Sequence, residues 1–172
     1  WAGTPPDNIT PLAQAGSDRR YFRVQSANLS AIAAHSLNAT ENKAFISFAK
    51  HFKSKGLPVP EIYGEDFQNS IYLQEDLGNT SLLQLLMGQR SADNPFPNTI
   101  RPLYREALSQ LARMQVEGGK GLDYTLCFPR SDFDQRAMRW DLNYFKYFFL
   151  KLSGLDFDEQ ALEDDFDRLS SY

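Results

Sequence analysis

Short apolar or aromatic runs, separated by turn-forming residues, occupy the first third of the chain. The runs are residues 9–12, 21–25 and 29–35, with Gly16-Ser17-Asp18 and Ser26-Ala27-Asn28 between them. Such runs are typical of β-strands, and short polar turns join them into an antiparallel meander. A further strand pair is predicted at residues 61–65 and 70–75.

The apolar period becomes helical between these two groups of strands. One helical face would carry Ala44, Phe45, Phe48, Ala49 and Phe52. Asn38, with Glu41 three residues later, predicts the N-terminal cap, and Gly56 predicts the end of the helix. The predicted order is therefore three strands, one helix and two strands.

After Gly78 the pattern is helical throughout. The predicted starts are Thr80 for a short helix ended by Gly88, Asp132 with Gln135 for an aromatic-rich helix over about 133–152, and Asp158 for the last helix. Between them lies a helix ended by Gly118-Gly119. These elements predict an α+β fold: a nucleotide-binding lobe at residues 1–77 and an incomplete helical lobe at 78–172. A cleft between two lobes is a common place for a nucleotide.

Composition narrows the classes of binding partner that the chain is expected to have. The 172 residues include 18 basic and 22 acidic side chains, a net charge of −4, and no basic block, so neither nucleic acid nor a membrane is expected to bind. The single cysteine, Cys127, excludes an internal disulfide, and two histidines are too few for a structural zinc site. A cytoplasmic location is expected, and the oligomeric state stays open.

Two connections offer main-chain groups to a ligand. The turn Gly16-Ser17-Asp18-Arg19-Arg20 has N–H groups that can bind phosphate oxygens, with Ser17 or Arg19 as further donors. Taken alone, this segment is more typical of a plain hairpin turn. The strand-to-helix connector Gln74-Glu75-Asp76-Leu77 can offer a carbonyl and an amide to a purine edge, although, taken alone, it is more typical of an ordinary strand-to-helix loop.

Several segments in this order resemble the aminoglycoside phosphotransferase and choline kinase-like family, most closely its bacterial sugar and amino-sugar kinase branch. They are GSDRRYFR at 16–23, ENKAF at 41–45, GLPVPEI at 56–62, LQEDLG at 73–78 and WDLNYFKY at 140–147. The resemblance implies a protein-kinase-like fold that binds ATP with Mg²⁺. It also implies that residues 16–20 cover the phosphates, that Glu41 is the helix glutamate, and that residues 74–77 hold adenine.

The sequence departs from that family in two places. The strand before Glu41 reads AIAAH, without the lysine that contacts phosphates in kinase-like enzymes. Phosphate binding is therefore expected to depend on main-chain amides, Arg19 or Arg20, with His35 as a weaker contact or a plain strand-end residue. No His-x-Asp-x-x-x-x-Asn loop is present, so the chain is expected to end before the catalytic residues, and no catalytic or metal-binding residue is assigned.

The predicted function is transfer of the ATP γ-phosphoryl group to a hydroxyl of a sugar, amino sugar or amino alcohol. This chain would be the nucleotide-binding portion of that small-molecule kinase and inactive alone. Asp141 and Asn143 are candidate contacts to the acceptor. The alternatives are a non-catalytic kinase-like nucleotide-binding or regulatory module, and a protein-interaction domain without nucleotide.

Overall fold

The computed structural model describes residues 1–14 and 18–171, and in these residues the fold is α+β with five strands and five α-helices. The strands are β1 (Asn8–Pro11), β2 (Arg20–Ser26), β3 (Leu29–His35), β4 (Ile62–Asp66) and β5 (Ile71–Glu75). The helices are α1 (Ala39–Ser54), α2 (Leu82–Gln89), α3 (Arg101–Arg113), α4 (Gln135–Phe145) and α5 (Glu159–Ser170). π-Helical turns, Met114–Gly118 and Lys146–Leu150, follow α3 and α4.

All five described strands form one antiparallel sheet in the order β1-β2-β3-β5-β4. The predicted meander holds for the first three strands, but β5 rather than β4 lies beside β3. Strand β5 carries the buried Tyr72, whereas β4 ends in the exposed pair Glu65-Asp66. The more apolar strand therefore takes the inner position, and the charged strand forms the edge, where charge discourages further pairing.

The core of the sheet region lies between β3, β5 and α1. Its buried centre is Ala34, Ile46 and Tyr72, against which Tyr21 and Phe45 pack. Helix α1 buries Ala44 and Ala49 of the predicted stripe, and its phenylalanines are half-buried. The predicted face is therefore correct for the alanines, and Ile46 adds a contact that the stripe did not include.

Four of the five described α-helices, all except α3, start at a side-chain cap. Asn38 caps α1, because its Oδ1 accepts a hydrogen bond from the Glu41 amide at 3.1 Å, and Asp158 caps α5; both predictions are confirmed. The predicted caps Thr80 and Asp132 are wrong. Ser81 caps α2 because Gln84 completes a reciprocal capping box, and Asp134 caps α4 by accepting from the Ala137 amide.

Gly118 ties helix α1 to the chain that follows α3. Its carbonyl oxygen lies 2.8 Å from Nε2 of His51. The residue is buried, and a Cβ at this position would lie 3.0 Å from Phe52 Cε1 and 3.1 Å from Leu57 Cδ1. A glycine here therefore permits the close packing of the π-helical turn on α1.

The described chain divides into two compact units, Trp1–Phe128 and Pro129–Tyr172. The predicted boundary between a nucleotide-binding lobe and a helical lobe, at residues 77/78, stays a prediction. None of the helices in the described ranges is long and apolar enough to cross a membrane.

The second unit is held by ion pairs between α5 and the region of α4. Lys146 is buried, with Nζ 3.0 Å from Glu159 and 2.7 Å from Glu163. The hydrogen bond to Glu163 raises the pKa of Lys146, and Glu159 adds to the effect. Part of the negative charge of the acidic helix α5 is thus neutralised within the fold.

Candidate functional site

A polar cavity of about 530 Å³ lies where β2 begins and β3 ends. Its walls are Gln14, Asp18, Arg19, Arg20, His35, Ser36, Leu37, Asn38 and Glu41. The structure thus brings together four predicted site residues: Asp18, Arg19, Arg20 and Glu41. The predicted residues Gly16 and Ser17 lie outside the described residues.

Arg19 and Glu41 form an ion pair at this cavity. Arg19 Nη2 lies 2.8 Å from Glu41 Oε1, and the two side chains are 11% and 40% exposed. Glu41 stands in the first turn of α1. The more accessible carboxylate thus meets a cation that is largely withdrawn from solvent.

Two aromatic rings lie against the Arg19 guanidinium. Its Cζ lies 5.5 Å from the ring centroid of Phe45 and 5.9 Å from that of Tyr72, which are cation–π distances. Burial lowers the pKa of Arg19, but the hydrogen bond with Tyr21 and the electrostatic interactions with Tyr72, Tyr21 and Glu41 together outweigh burial, so the net shift of the pKa is upward. Arg19 is therefore a permanently charged group in a fixed position.

Further basic groups surround this pair. Arg20 and His35 face each other across β2 and β3, and both line the cavity. The N-terminus of α1, capped by Asn38, lies at the same place, and the positive end of a helix dipole favours anions. The cavity therefore combines three basic side chains with a helix start, which suits a phosphate-bearing ligand.

The other predicted residues lie at the end of β5 and in the connector that follows. Glu75 is occupied by protein partners, because its carboxylate accepts from the Glu61 amide at 3.0 Å and from Lys53 Nζ at 3.1 Å. These bonds, the one from Glu61 first, lower the pKa of Glu75. The Leu77 side chain is 69% exposed.

Asp76 is the centre of a hydrogen-bonded cluster. Arg23 donates to its two carboxylate oxygens at 2.6 and 2.9 Å, Ser30 donates at 2.5 Å, and the Gly78 amide donates at 3.0 Å. The bonds from Arg23, with those from Ser30 and Gly78, lower the pKa of Asp76 to about 2. Arg23 also donates to Asn79 at 2.7 Å. The Asp76 side chain therefore links the connector to Arg23 of β2 and to Ser30 of β3.

Other polar groups of the connector have no such partners. Gln74 Oε1 is buried and accepts no hydrogen bond from any described residue. Within the described ranges, the main-chain groups of Asp76 and Leu77 form no hydrogen bond with other main-chain atoms. These groups can pair with a ligand edge, whereas the carboxylates of Glu75 and Asp76 are already satisfied.

Strand register places the cavity and the connector at opposite ends of the sheet. Strand β3 pairs through His35 with Arg20 at the cavity end and through Ala31 with Glu75 at the connector end. Four residues separate these positions, roughly 13 Å at about 3.3 Å per residue. The predicted phosphate contacts and base contacts are therefore not one cluster, and an elongated ligand is needed to reach both.

Sequence reasoning missed the hydrogen-bonded cluster around Asp76 and Arg23. Arg23, Ser30 and Asn79 were given no role, although Arg23 belongs to the GSDRRYFR segment and Asp76 to the LQEDLG segment. Opposite charges in two such segments are a signal for pairing. The two residues are 53 positions apart in the sequence, however, so only the fold brings them together.

No family model matches the chain. It is 26% identical over 164 residues to the N-acetylmuramate/N-acetylglucosamine kinase of Pseudomonas aeruginosa, an alignment that covers 94% of this chain and 44% of that protein. It is 24% identical over 161 residues to the protein of the same name from Pseudomonas putida, with 92% and 43% covered. The chain thus spans less than half the length of these curated relatives.

These relatives support a relationship to sugar kinases. They do not single out the aminoglycoside phosphotransferase and choline kinase-like family, so that assignment stays a prediction, as does the kinase-like arrangement of the α+β fold. The predicted roles of the cavity and connector residues also stay predictions.

Proposed function

We propose that the intact protein is an ATP-dependent phosphotransferase with a protein-kinase-like fold, and that its acceptor is an N-acetylated amino sugar such as N-acetylglucosamine or N-acetylmuramate. This chain supplies the nucleotide site. The names of the two relatives support the acceptor class. The Arg19–Glu41 pair and the unpaired polar groups of the connector support the binding of a nucleotide.

The observation that carries the proposal is the Arg19–Glu41 ion pair in the polar cavity. Kinase-like enzymes pair a phosphate-binding lysine with a helix glutamate, and this chain has no lysine in the corresponding strand. Arg19 takes that role, because Glu41 and two aromatic rings hold its guanidinium in place. A guanidinium contacts phosphate oxygens through two parallel hydrogen bonds, which an ammonium cannot do.

The base would bind at the other end of the sheet. The main-chain groups of Asp76 and Leu77 and the unpaired Gln74 Oε1 match the donor and acceptor edge of adenine. A nucleoside triphosphate carries its base and its phosphates at opposite ends, as the separation of the two sites requires. The proposal therefore depends on the two sites binding the two ends of one ATP molecule, and not on either site alone.

The magnesium ion enters this scheme with the nucleotide. No group of three or more His, Cys, Asp or Glu side chains in the described ranges is placed to hold a metal ion. Among the cavity carboxylates, Glu41 is engaged by Arg19. ATP bound as its magnesium complex would supply charge neutralisation at the phosphates. The chain's own residues bind and orient the triphosphate, and the group that accepts the hydroxyl proton is not assigned.

Two measurements on the intact protein test this function. Mg·ATP at one hundred times its Kd should stabilise the fold by about 2.7 kcal/mol in thermal unfolding, and label from [γ-³²P]ATP should appear on N-acetylglucosamine. Arg19→Met should weaken the binding of Mg·ATP. Arg105→Met, which changes an exposed arginine of α3, is the matched control and should not. Absence of a thermal shift at millimolar Mg·ATP would contradict nucleotide binding.

A non-catalytic nucleotide-binding module is the second candidate, because the strand before Glu41 lacks the usual lysine. It predicts the thermal shift with Mg·ATP but no labelled sugar. The two measurements together therefore separate the kinase from the module.

A further inference from the structure

Helix α4 presents aromatic and acidic side chains on one face in the second compact unit. Ala137, Trp140 and Asp141 are spaced at i, i+3 and i+4, so they lie side by side. They line a cavity of about 310 Å³ whose other walls are Pro129, Arg130, Ser131, Asp132 and Phe133. This volume is at the lower end of the range for small-molecule sites, about 300–1,000 Å³.

A second cavity of about 370 Å³ adjoins the first. Phe133 and Asp141 line both cavities, and Met138, Leu142 and Leu169 complete the second one. Apart from Asp141, this second cavity is therefore lined by apolar side chains. The two cavities therefore share the Asp141 carboxylate, which lies between an aromatic part and an aliphatic part.

The aromatic part has free ring surface. Trp140 is 53% exposed and Phe133 is 65% exposed. Arg130 packs its guanidinium 6.0 Å from the Trp140 ring centroid and forms an ion pair with Asp134, the cap of α4. This chain of contacts braces the indole on one side and leaves ring surface open to a ligand.

Asp141 has no partner within the fold. Its side chain is exposed and forms no hydrogen bond or ion pair with any described residue. By contrast, Glu159 and Glu163 of the same unit are engaged by Lys146. A carboxylate without protein donors, set between two cavities, is suited to accept hydrogen bonds from ligand hydroxyls.

Other exposed aromatic residues of the unit are arranged differently. Tyr144 stacks on Phe148 with ring centroids 4.5 Å apart, and Phe145 stacks on Phe149 at 5.5 Å. These rings are paired with one another, and they line neither of the two cavities. Exposure of aromatic side chains alone therefore does not distinguish the Trp140 site, whereas its combination with the cavities and Asp141 does.

We propose that these joined cavities are the acceptor site, and that they bind a pyranose bearing an acetamido group. A face of the sugar ring stacks on Trp140 and Phe133, and Asp141 accepts hydrogen bonds from ring hydroxyls. The acetyl methyl group enters the aliphatic part beside Met138 and Leu142. This inference rests on the proposed function for the choice of an amino sugar, and it assigns binding residues within a single unit of the chain.

Calorimetric titration of the intact protein with N-acetylglucosamine tests the site. We expect Asp141→Ala and Trp140→Ala each to weaken binding at least tenfold, and Trp140→Phe to restore most of it. Asp156→Ala and Trp1→Ala remove an exposed carboxylate and an exposed indole elsewhere, and they should leave the affinity within twofold. Glucosamine, which lacks the acetyl group, should bind the wild type more weakly than N-acetylglucosamine.

Titration of the same samples with Mg·ATP separates this site from the nucleotide site. Arg19→Met should weaken Mg·ATP and spare the sugar, and Asp141→Ala should do the reverse. In the transfer assay, Trp140→Ala should raise KM for the sugar and leave KM for ATP unchanged. Sugar binding that depends on Asp141 upholds the acceptor site whatever the nucleotide result.

Two outcomes would overturn the acceptor site. One is wild-type protein that does not bind N-acetylglucosamine. The other is Asp141→Ala and Trp140→Ala variants that bind it with wild-type affinity. If Mg·ATP still binds in the second case, the phosphotransferase proposal stands and only this location is wrong.

Discussion

The ion pairs Arg19–Glu41 and Arg23–Asp76 both join an arginine of the first part of the chain to a carboxylate, but their surroundings differ. Asp76 receives hydrogen bonds from Arg23, Ser30 and the Gly78 amide, so its acceptor capacity is filled by the protein. Arg19 touches Glu41, yet its Nε has no hydrogen-bond partner among the described residues, and a cavity opens beside it. The contrast teaches that a charged group saturated by protein partners has a structural role, whereas a largely withdrawn cation with an unpaired Nε beside a cavity is a candidate for ligand binding.

Removing the charge at the cavity is the strongest way to test this contrast. Arg19→Met keeps an apolar stem against Phe45 and Tyr72 but removes the proposed hydrogen-bond donor to phosphate. We expect kcat/KM for ATP to fall by about 100-fold, as when one preorganised donor is removed from a charged transition state. Steady-state kinetics of the intact protein measures this. A fall of less than threefold would show that Arg19 is a structural cation like Arg23.

Removing the charge at the saturated pair should instead affect folding. In Asp76→Asn, the bonds from Arg23 lose their charge assistance and one neighbouring donor is left without an acceptor. We expect the free energy of unfolding to fall by about 2–3 kcal/mol, measured by urea denaturation at neutral pH. Glu41→Gln is the matched variant for the cavity pair, and it should change stability by less than about 0.5 kcal/mol because that carboxylate is more exposed.

Acid should weaken the saturated pair in a defined interval. The pKa of Asp76 is about 2 in the folded protein, against an ordinary value of 3.8. Protonation therefore favours the unfolded chain: the contribution of Asp76 is complete above about pH 5 and is lost as the pH falls toward 2. The stability difference between wild type and Asp76→Asn should shrink over this range in urea denaturation. A difference that stays constant from pH 6 to pH 3 would contradict the assignment.

Within the saturated cluster, the smallest expected effect comes from Ser30, which donates a single hydrogen bond to Asp76. Ser30→Ala deletes the hydroxyl that donates to Asp76 at 2.5 Å. We expect a loss of about 1 kcal/mol in the free energy of unfolding. Ser109→Ala, on the exposed surface of α3, is the control and should be neutral. Equal effects of the two substitutions would show that the Ser30 hydrogen bond adds nothing.

Local signals were read correctly where one residue type decided the outcome. Asn38 and Asp158 cap their helices as predicted, and Gly56 follows α1 in a left-handed conformation with φ +68°. Two caps were wrong where candidates compete within a few residues. Ser81 prevails over Thr80 because only Ser81 has a glutamine at the third helical position, and Asp134 prevails over Asp132 because its carboxylate reaches the Ala137 amide.

Long-range contacts were beyond sequence patterns. The strand order, with β5 beside β3, depends on which strand can bury more apolar surface after all five have formed. Within the candidate site, Arg19 and Glu41 were both named as candidates, but their pairing depends on the placement of α1 across the sheet. The cluster around Asp76 was missed for the same reason. Turn and cap chemistry is local, whereas the choice of partner for a charged side chain is decided by the fold.

The contact between Gly118 and helix α1 bears on how this protein can be dissected. A recombinant piece that stopped at residue 77 would leave Phe52 and Leu57 uncovered and would take the Gly118 carbonyl away from His51. Such a piece would be prone to aggregate through the bared helix. A minimal version for crystallisation or NMR should therefore run through Phe128, so that helix α1 keeps its packing against Gly118.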